Sequence, residues 1–389
     1  MKICVITPEN PFKSYGGLAL YSRQMIESLK LSYINHQIEI VCLIESNTES
    51  YSSYKDNDFL IHEVKIKASN KIFSLFTKRS YSSVRYIHYF DKIQINWDTY
   101  DHYIFNHRLS LGFYNKLIKT SKPNTKFIYI NHNDEYGSMC GIAKYIKNPI
   151  TRLLAYREAK KILREELNIL KTFNKSSFIN ISDYHAYTKY DKKFKINNQS
   201  TIPIYLDEEN GNHNYQPHLL LTGSFDWFPK KRNAEWLCNE VFPLIKEQSP
   251  ETKLFIVGRK ANCIKLNDQS NIEIHSDVDD INIFYNMASY FIIPERQSGG
   301  LKIKSIEAAM NRKVIVSTPE GISGSGLINN KSCLICEYGD KVKFSQTIIN
   351  VLNDRGFSES ISNNAYEHTS SNFNFNKVTE QWKTFWSNT

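Results

Sequence analysis

Residues Pro294–Gly324 read PERQSGGLKIKSIEAAMNRKVIVSTPEGISG. The preceding Tyr290–Ile293 is a short apolar run that stops at Pro294, the pattern of a buried strand. Within the stretch, Leu301–Asn311 carries Ile303, Ile306 and Met310 near one helical face, and Val314–Ser317 reads as a second buried strand. Ser298, Gly299 and Gly300 lie at the join, so a glycine-rich turn is expected to open the helix. The first N–H groups of such a helix have no partner within it, and glycines let a ligand come close to the backbone. Lys302 and Lys304 add two cations. The combination suits a phosphate or diphosphate. Glu307, one turn beyond Lys304, is placed to hold a neutral, hydroxyl-bearing part of the same ligand. The same pattern also describes an ordinary strand–turn–helix with a solvated basic face.

The stretch resembles the donor-nucleotide segment of GT-B glycosyltransferases of family 4, in the subgroup written P…G-S-G-x-R-x-K-x-x-E-A, then a strand, then a glycine-containing loop. Ser298, Gly299, Gly300, Lys302, Lys304, Glu307 and Ala308 occupy those positions. There are two departures. Lys302 stands where arginine is usual. The wider family's E-x7-E motif needs a second acid where this chain has Gly299, so the role of that acid is not carried over. Immediately upstream, the run Gly223 … Trp227-x-Pro229 … Trp236 … Pro243 … Val257-Gly258 resembles the opening of the family's second domain. Lys230 replaces the subgroup's asparagine there, and Lys231 and Arg232 follow it. The pattern predicts helices at Lys231–Gln248 and Asp279–Ala288 and a strand at Lys253–Gly258.

Further out, the first half of the chain reads as a second α/β unit. Lys2–Thr7 and Ile38–Ile44 are strand patterns, and Gly16-Gly17 opens a helix with Leu18, Tyr21, Met25, Ile26 and Leu29 largely on one face. Glycines at the helix N-terminus suit a nucleotide-binding unit, although this is not G-x-G-x-x-G. The corresponding Gly-Gly loop of family 4 reaches toward the donor phosphate and the acceptor. His102–Asn106 and Lys126–Ile130 are further strands. His132 follows the second and His107 the first, at the carboxyl ends where open α/β sheets bind ligands. A lone histidine is usually structural; position and resemblance to a family 4 histidine favour a site role for His132. Thr151–Thr172 reads as a long basic helix, and Ser182-Asp183 as the cap of a short one.

The chain has 389 residues, 41% hydrophobic and 23% charged, enough for two folded domains. MKICVITPEN is too short an apolar start for a signal peptide, and no apolar run approaches a membrane span, so a cytoplasmic protein is expected. A net charge of +9 points to nucleic acid, acidic lipid or a phosphorylated substrate. No nucleic-acid-binding signature accompanies it, which makes nucleic acid the weakest of the three. Lys65–Phe90 interleaves Lys71, Lys78, Arg79 and Arg85 with Phe73, Phe76, Tyr81 and Tyr86. It reads either as a face for an anionic membrane surface or as a solvated stripe with its aromatics turned inward. Cys333-x-x-Cys336 lacks a second pair and reads as structural. Asp56-x-Asp58 and Asp277-x-Asp279 match the very short DxD of metal-dependent transferases, and Asp277 equally suits a helix cap.

The resemblance implies an α/β protein of GT-B type: two Rossmann-like domains facing each other across a cleft, with a C-terminal helix crossing back to the first. The expected division is 1–206 for the acceptor domain, 207–217 for a polar linker, 218–370 for the donor domain and 371–389 for the terminal helix. It also implies retaining transfer of a sugar from a nucleotide diphosphate sugar to a saccharide or lipid-linked acceptor, in bacterial surface polysaccharide synthesis. The donor is a co-substrate, and neither cofactor nor metal is expected. His132, Lys302 and Lys304 are the candidate catalytic residues. Gly16, Gly17, Gly223, Lys230, Arg296, Ser298, Gly299, Gly300 and Glu307 are the candidate donor-binding residues. A nucleotide-sugar epimerase, a phosphorylase and a non-catalytic nucleotide-sugar-binding subunit remain as alternatives.

Overall fold

Strands covered on both faces read as continuous apolar runs, and this chain folds them into two mainly parallel sheets. The computed structural model describes residues 1–56, 58–67, 74, 76–87, 89–192, 199–206, 215–296 and 300–387. The chain divides into two compact units, Met1–Ile204 with Val378–Thr389, and Tyr205–Lys377. Most of the linker expected at 207–217 lies outside the described residues.

The first unit holds an eight-stranded sheet. Its strands are β1 (Lys2–Thr7), β2 (Gln37–Ser46), β3 (Ser50–Asp56), β4 (Phe59–Lys67), β5 (His102–Asn106), β6 (Lys126–Asn131), β7 (Lys175–Phe178) and β8 (Gln199–Thr201). Their order is β3-β4-β2-β1-β5-β6-β7-β8, and only β3 runs antiparallel to its neighbour. Ile3, Cys4, Val5 and Ile6 of β1 are fully buried. Helix α1 (Gly17–Ser32) buries Tyr21, Met25, Ile26 and Leu29. Helices α2 (Glu135–Lys144) and α3 (Pro149–Thr172) form a hairpin after β6. Asn148 caps α3, its Oδ1 accepting from the N–H groups of Ile150 and Thr151.

The second unit holds β9 (Leu219–Ser224), β10 (Leu254–Arg259), β11 (Ile272–Ser276), β12 (Tyr290–Ile293), β13 (Val314–Ser317) and β14 (Leu334–Ile335), all parallel, in the order β11-β10-β9-β12-β13-β14. The helix expected at Lys231–Gln248 starts earlier, as α4 (Phe228–Trp236), and passes through a wide π turn at Leu237–Val241 into Phe242–Gln248. Pro243 has no N–H to give the preceding turn, and the wider turn absorbs that loss. Helix α5 (Ile303–Met310) follows β12. Helix α6 (Phe375–Ser387) buries Val378, Trp382, Phe385 and Trp386. In the first unit Trp386 Nε1 donates to Ser28 Oγ at 3.0 Å, and Tyr33 Oη donates to the Trp386 carbonyl at 2.8 Å, both on α1 or its C-terminal edge.

Two local expectations are corrected. Asn180, not Ser182-Asp183, caps the short helix after β7, because its Oδ1 accepts from the Asp183 N–H at 3.0 Å. Asp277 caps no helix. Its backbone is left-handed at φ 56°, and the next helix begins at Asn282, whose N–H is taken by Asp280 Oδ1. In the basic–aromatic segment, Arg85 is buried against Glu45 at 2.7 Å and Tyr86 is core, Phe76, Lys78 and Arg79 are exposed, and Lys71 and Phe73 lie outside the described residues.

Candidate functional site

In each sheet the strand order reverses direction beside the first strand, between β1 and β5 and between β9 and β12. Open α/β sheets bind ligands at the carboxyl ends of the strands flanking such a reversal.

In the second unit, Gly223 is the next-to-last residue of β9 and Gly258, whose φ is +140°, the next-to-last of β10. A side chain on Gly258 would bring its Cβ within 2.0 Å of the Gly223 carbonyl oxygen, so both strand ends stay bare. β12 ends at Ile293 and leads through Pro294 to Glu295. This carboxylate is the hub of the site. One oxygen lies 3.0 Å from Lys230 Nζ, and the other accepts from Asn233 Nδ2 at 3.5 Å. Lys230 and Asn233 are three residues apart on α4 and therefore share a face. Burial alone would raise the Glu295 pKa. The positive charges of Lys230, Lys302 and Lys304 outweigh it and hold the carboxyl below its ordinary value.

Lys304 stands on the first turn of α5, its Nζ 4.0 Å from Glu307 on the next turn. Burial pulls its pKa below the ordinary lysine value, and Lys230 pulls the same way, while Glu307 and Glu295 oppose them. Its side chain remains 34% exposed, so the ammonium is both partly desolvated and reachable. It opens on a cavity of about 290 Å³ shared with Glu307, Asn311, Asn282 and Tyr285, and walled by Leu206, Ile281 and Met310. Three lysines against Glu295 and Glu307 leave a surplus of positive charge, which an anion would relieve.

The backbone differs from the open helix end expected from sequence. α5 begins at Ile303 with Lys302 at its cap, and the Lys302 N–H donates to the Ser323 carbonyl at 3.0 Å. The Ile303 and Ser305 N–H groups are taken by the Leu301 and Lys302 carbonyls. The loops after β12 and β13 are thereby tied together, and Thr318 adds its N–H to the Ile293 carbonyl and its hydroxyl to the Glu295 carbonyl. Gly321 permits this contact, since a Cβ there would lie 2.3 Å from Ser317 Oγ. The positive charge at this helix end is thus carried by the lysine side chains, while the Lys302, Ile303 and Ser305 amides are taken by carbonyls.

Of the expected catalytic residues Lys302 and Lys304 gather here, and of the expected donor-binding residues Lys230 and Glu307, with Gly223 near the end of β9. Gly300 takes a left-handed φ of 62°. Arg296 turns elsewhere, with its guanidinium 5.1 Å from the Tyr338 ring, which in turn packs on Trp236. Ser298 and Gly299 lie outside the described residues. Glu295 and Asn233 escaped the sequence reading. The available signal was an acid directly after the Pro that ends a buried strand.

In the first unit, His132 follows β6 and is buried. Its Nε2 lies 2.7 Å from Asn106 Oδ1, while the Asn106 amide donates to Ser22 Oγ and Thr7 Oγ1. That arrangement places the His132 proton on Nε2. Burial drives its pKa well below the usual range, and the charge of His107 adds to this, so the ring is neutral. Its edge meets Tyr21 and His107, with ring centres 4.8 and 5.2 Å apart. His107 has φ 75°, accepts the Leu109 N–H on Nδ1 and turns Nε2 to Glu135 at 3.4 Å. Glu135 sits at about 2: burial raises it, and His107 and Arg108 outweigh burial. Glu9, in the loop after β1, is raised by burial, opposed by Ser14 and His107, and its Oε1 is buried without a hydrogen bond. Gly16, with φ +108°, precedes α1, whose first residue is Gly17; that φ suits only glycine. Behind this cluster Glu166 of α3 is fully buried between Tyr129 Oη at 3.0 Å and Tyr187 Oη at 2.8 Å, and burial pushes it up to about 8.

Among the described residues, no group of three or more His, Cys, Asp or Glu side chains is disposed to hold a metal ion. Asp58 is engaged by Lys30 at 2.7 Å. Cys333 and Cys336 are buried, and burial raises both thiols.

Two mainly parallel α/β sheets in this order make the GT-B fold. Sucrose-phosphate synthase from Thermosynechococcus elongatus superposes with a TM-score of 0.68 at 16% identity, over 100% of this chain and 98% of that one. HepE from Anabaena, solved in complex with UDP-glucose, superposes with a TM-score of 0.65 at 10% identity, over 100% of both chains. More particularly, residues 216–354, which carry the lysine cluster, match the family model described as Glycosyl transferases group 1. An uncharacterized 44.6 kDa protein in the cps region of Klebsiella pneumoniae is 25% identical over 278 residues, 68% of this chain and 66% of that protein, just under two thirds of its length.

Proposed function

We propose that the protein is a retaining glycosyltransferase that takes a sugar from a nucleotide diphosphate donor. The observation that carries this is the surplus of lysine charge around Glu295, at the strand-order reversal of a unit matching Glycosyl transferases group 1. In the reaction the bond from the anomeric carbon to the donor phosphate breaks, and a bond to the acceptor hydroxyl oxygen forms. The hydroxyl proton passes to the departing phosphate oxygen, so no separate base is required. Charge grows on the leaving diphosphate as the sugar becomes oxocarbenium-like. Lys304, Lys302 and Lys230 are fixed where they stabilise that charge. Glu295 holds Lys230 in place, and Glu307 accepts hydrogen bonds from the donor's ribose. Because these charges are supplied by side chains, the reaction needs no divalent metal.

His132 is neutral and its Nε2–H is committed to Asn106, which leaves Nδ1 as an acceptor for a sugar hydroxyl. The acceptor is a saccharide or a lipid-linked saccharide, and the cps-region relative supports a place in surface polysaccharide synthesis. HepE, solved with UDP-glucose, makes uridine donors the first to try. The test is a panel of nucleotide sugars scored by thermal shift, followed by transfer assays with a chelator present. One donor should raise the melting temperature by mass action and give a product with the donor's anomeric configuration. An inverted product, or free epimerised nucleotide sugar formed without acceptor, would overturn the reading.

A further inference from the structure

The hairpin of α2 and α3 carries a feature that glycosyl transfer does not explain. α3 is 24 residues long, yet its buried residues are Ala159, Lys161, Ile162, Glu166, Ile169 and Leu170, none of them in its first ten. Every residue from Lys147 to Leu154 is exposed. Within that tip Ile150 is 70% exposed, Leu153 69% and Leu154 38%. Their i, i+3, i+4 spacing puts all three on one side of the helix. Contiguous apolar side chains in water mark an interaction surface. Basic residues surround them: Lys144, Lys147 and Arg152 are all exposed, and from Tyr136 to Arg157 the chain has no Asp or Glu.

We propose that this helical tip docks on an anionic lipid bilayer. Apolar residues at the end of a helix, ringed by lysine and arginine with no acids, match the boundary between acyl chains and negative headgroups. A second copy of the same tip would bring like charges together. No described helix is long and apolar enough to cross a membrane, so the contact is a surface one. The docking element adjoins the candidate acceptor side of the first unit. Asp134, two residues beyond His132, caps α2, and the ten residues of α2 span about 15 Å. A docked tip would therefore hold His132 within reach of a saccharide whose anchor lies in the bilayer. This part of the inference rests on the glycosyltransferase reading and narrows its acceptor to a lipid-linked saccharide. In the other basic–aromatic segment, Lys65–Phe90, Arg85 and Tyr86 are buried while Phe76, Lys78 and Arg79 are exposed.

The experiment is flotation of the full chain with vesicles of phosphatidylglycerol mixed with phosphatidylcholine, or of phosphatidylcholine alone. Binding is expected to the first only, at low salt, with release at high salt. Reversing the charges in Lys144→Glu, Lys147→Glu and Arg152→Glu together should weaken it about a hundredfold or more, each basic residue contributing about fivefold. Ile150→Ser, Leu153→Ser and Leu154→Ser together should weaken it even at low salt. Both variants should keep the wild-type melting temperature and donor-induced shift. No wild-type binding to anionic vesicles, or unchanged binding by both variants, overturns the proposal. So does a concentration-dependent dimer that the serine variant abolishes without any vesicle binding. Vesicle binding without any nucleotide-sugar shift would leave the docking intact and remove the transferase reading.

Discussion

Lys304 is pulled in two directions, toward neutrality by burial and by Lys230, toward charge by Glu307 and Glu295. A bound diphosphate adds negative charge and settles the balance in favour of the ammonium. Lys304→Ala should therefore lower turnover by about a hundredfold or more, the scale of one lost preorganised stabilising group, while the purified variant keeps its melting temperature. Normal turnover in a folded variant would remove the phosphate role. Glu166 makes a different residue-scale prediction. Its folded pKa, about 8, lies above the ordinary carboxyl value of about 4.3. The folded state thus binds the proton more tightly than the unfolded chain does. Its stabilising contribution is complete below about pH 4 and is lost as pH rises through the window up to 8. Glu166→Gln, which keeps a donor toward Tyr187 and an acceptor toward Tyr129, should flatten that loss. Urea midpoints at pH 5 and pH 9 measure it; parallel falls in wild type and variant would refute it. At this scale the sequence revealed the lysines and Glu307 through spacing and resemblance. It hid Glu295 because one acid in a loop has no period, and its importance comes from Lys230, 65 positions away but only 3.0 Å distant.

Elements were legible where burial imposes a pattern. β1, β2, β5, β6, β9, β10, β12 and β13 are apolar runs because helices cover both faces of their sheets. The hairpin β3–β4 passed unnoticed, since Ser50–Asp56 is a polar, largely exposed edge strand that reads as loop. The start of α5 shifted for a tertiary reason, the Lys302 N–H bond to the Ser323 carbonyl, which local propensity does not contain. Helix α6 was expected as the terminal helix that the resemblance implies, and its worth can be measured. Trp386 is buried, stacks 5.4 Å from Trp382 and donates to Ser28. Trp386→Ala should destabilise the first unit by about 3–5 kcal/mol, read from the denaturant midpoint of that unit's transition. Trp386→Phe should recover most of the packing and lose only the hydrogen bond.

At the scale of the whole molecule, two Rossmann-like sheets were visible from the recurrence of strand–turn–helix patterns, and the comparisons agree on the GT-B fold. The placement of residues 378–389 in the first unit has a further consequence for how the chain is made. The bond from Trp386 to Ser28 joins positions 358 apart in sequence. While the ribosome is still producing the second unit, the apolar flank of α1 has no partner, and the first unit waits in an unfinished state. Closing so long a loop after the intervening unit has folded costs little more than closing a shorter one, because the entropy grows only with the logarithm of length. The penalty falls on timing. Translation stopped short of Val378 would release a first unit with its α1 surface bare, a substrate for chaperones and proteases rather than half of a working protein.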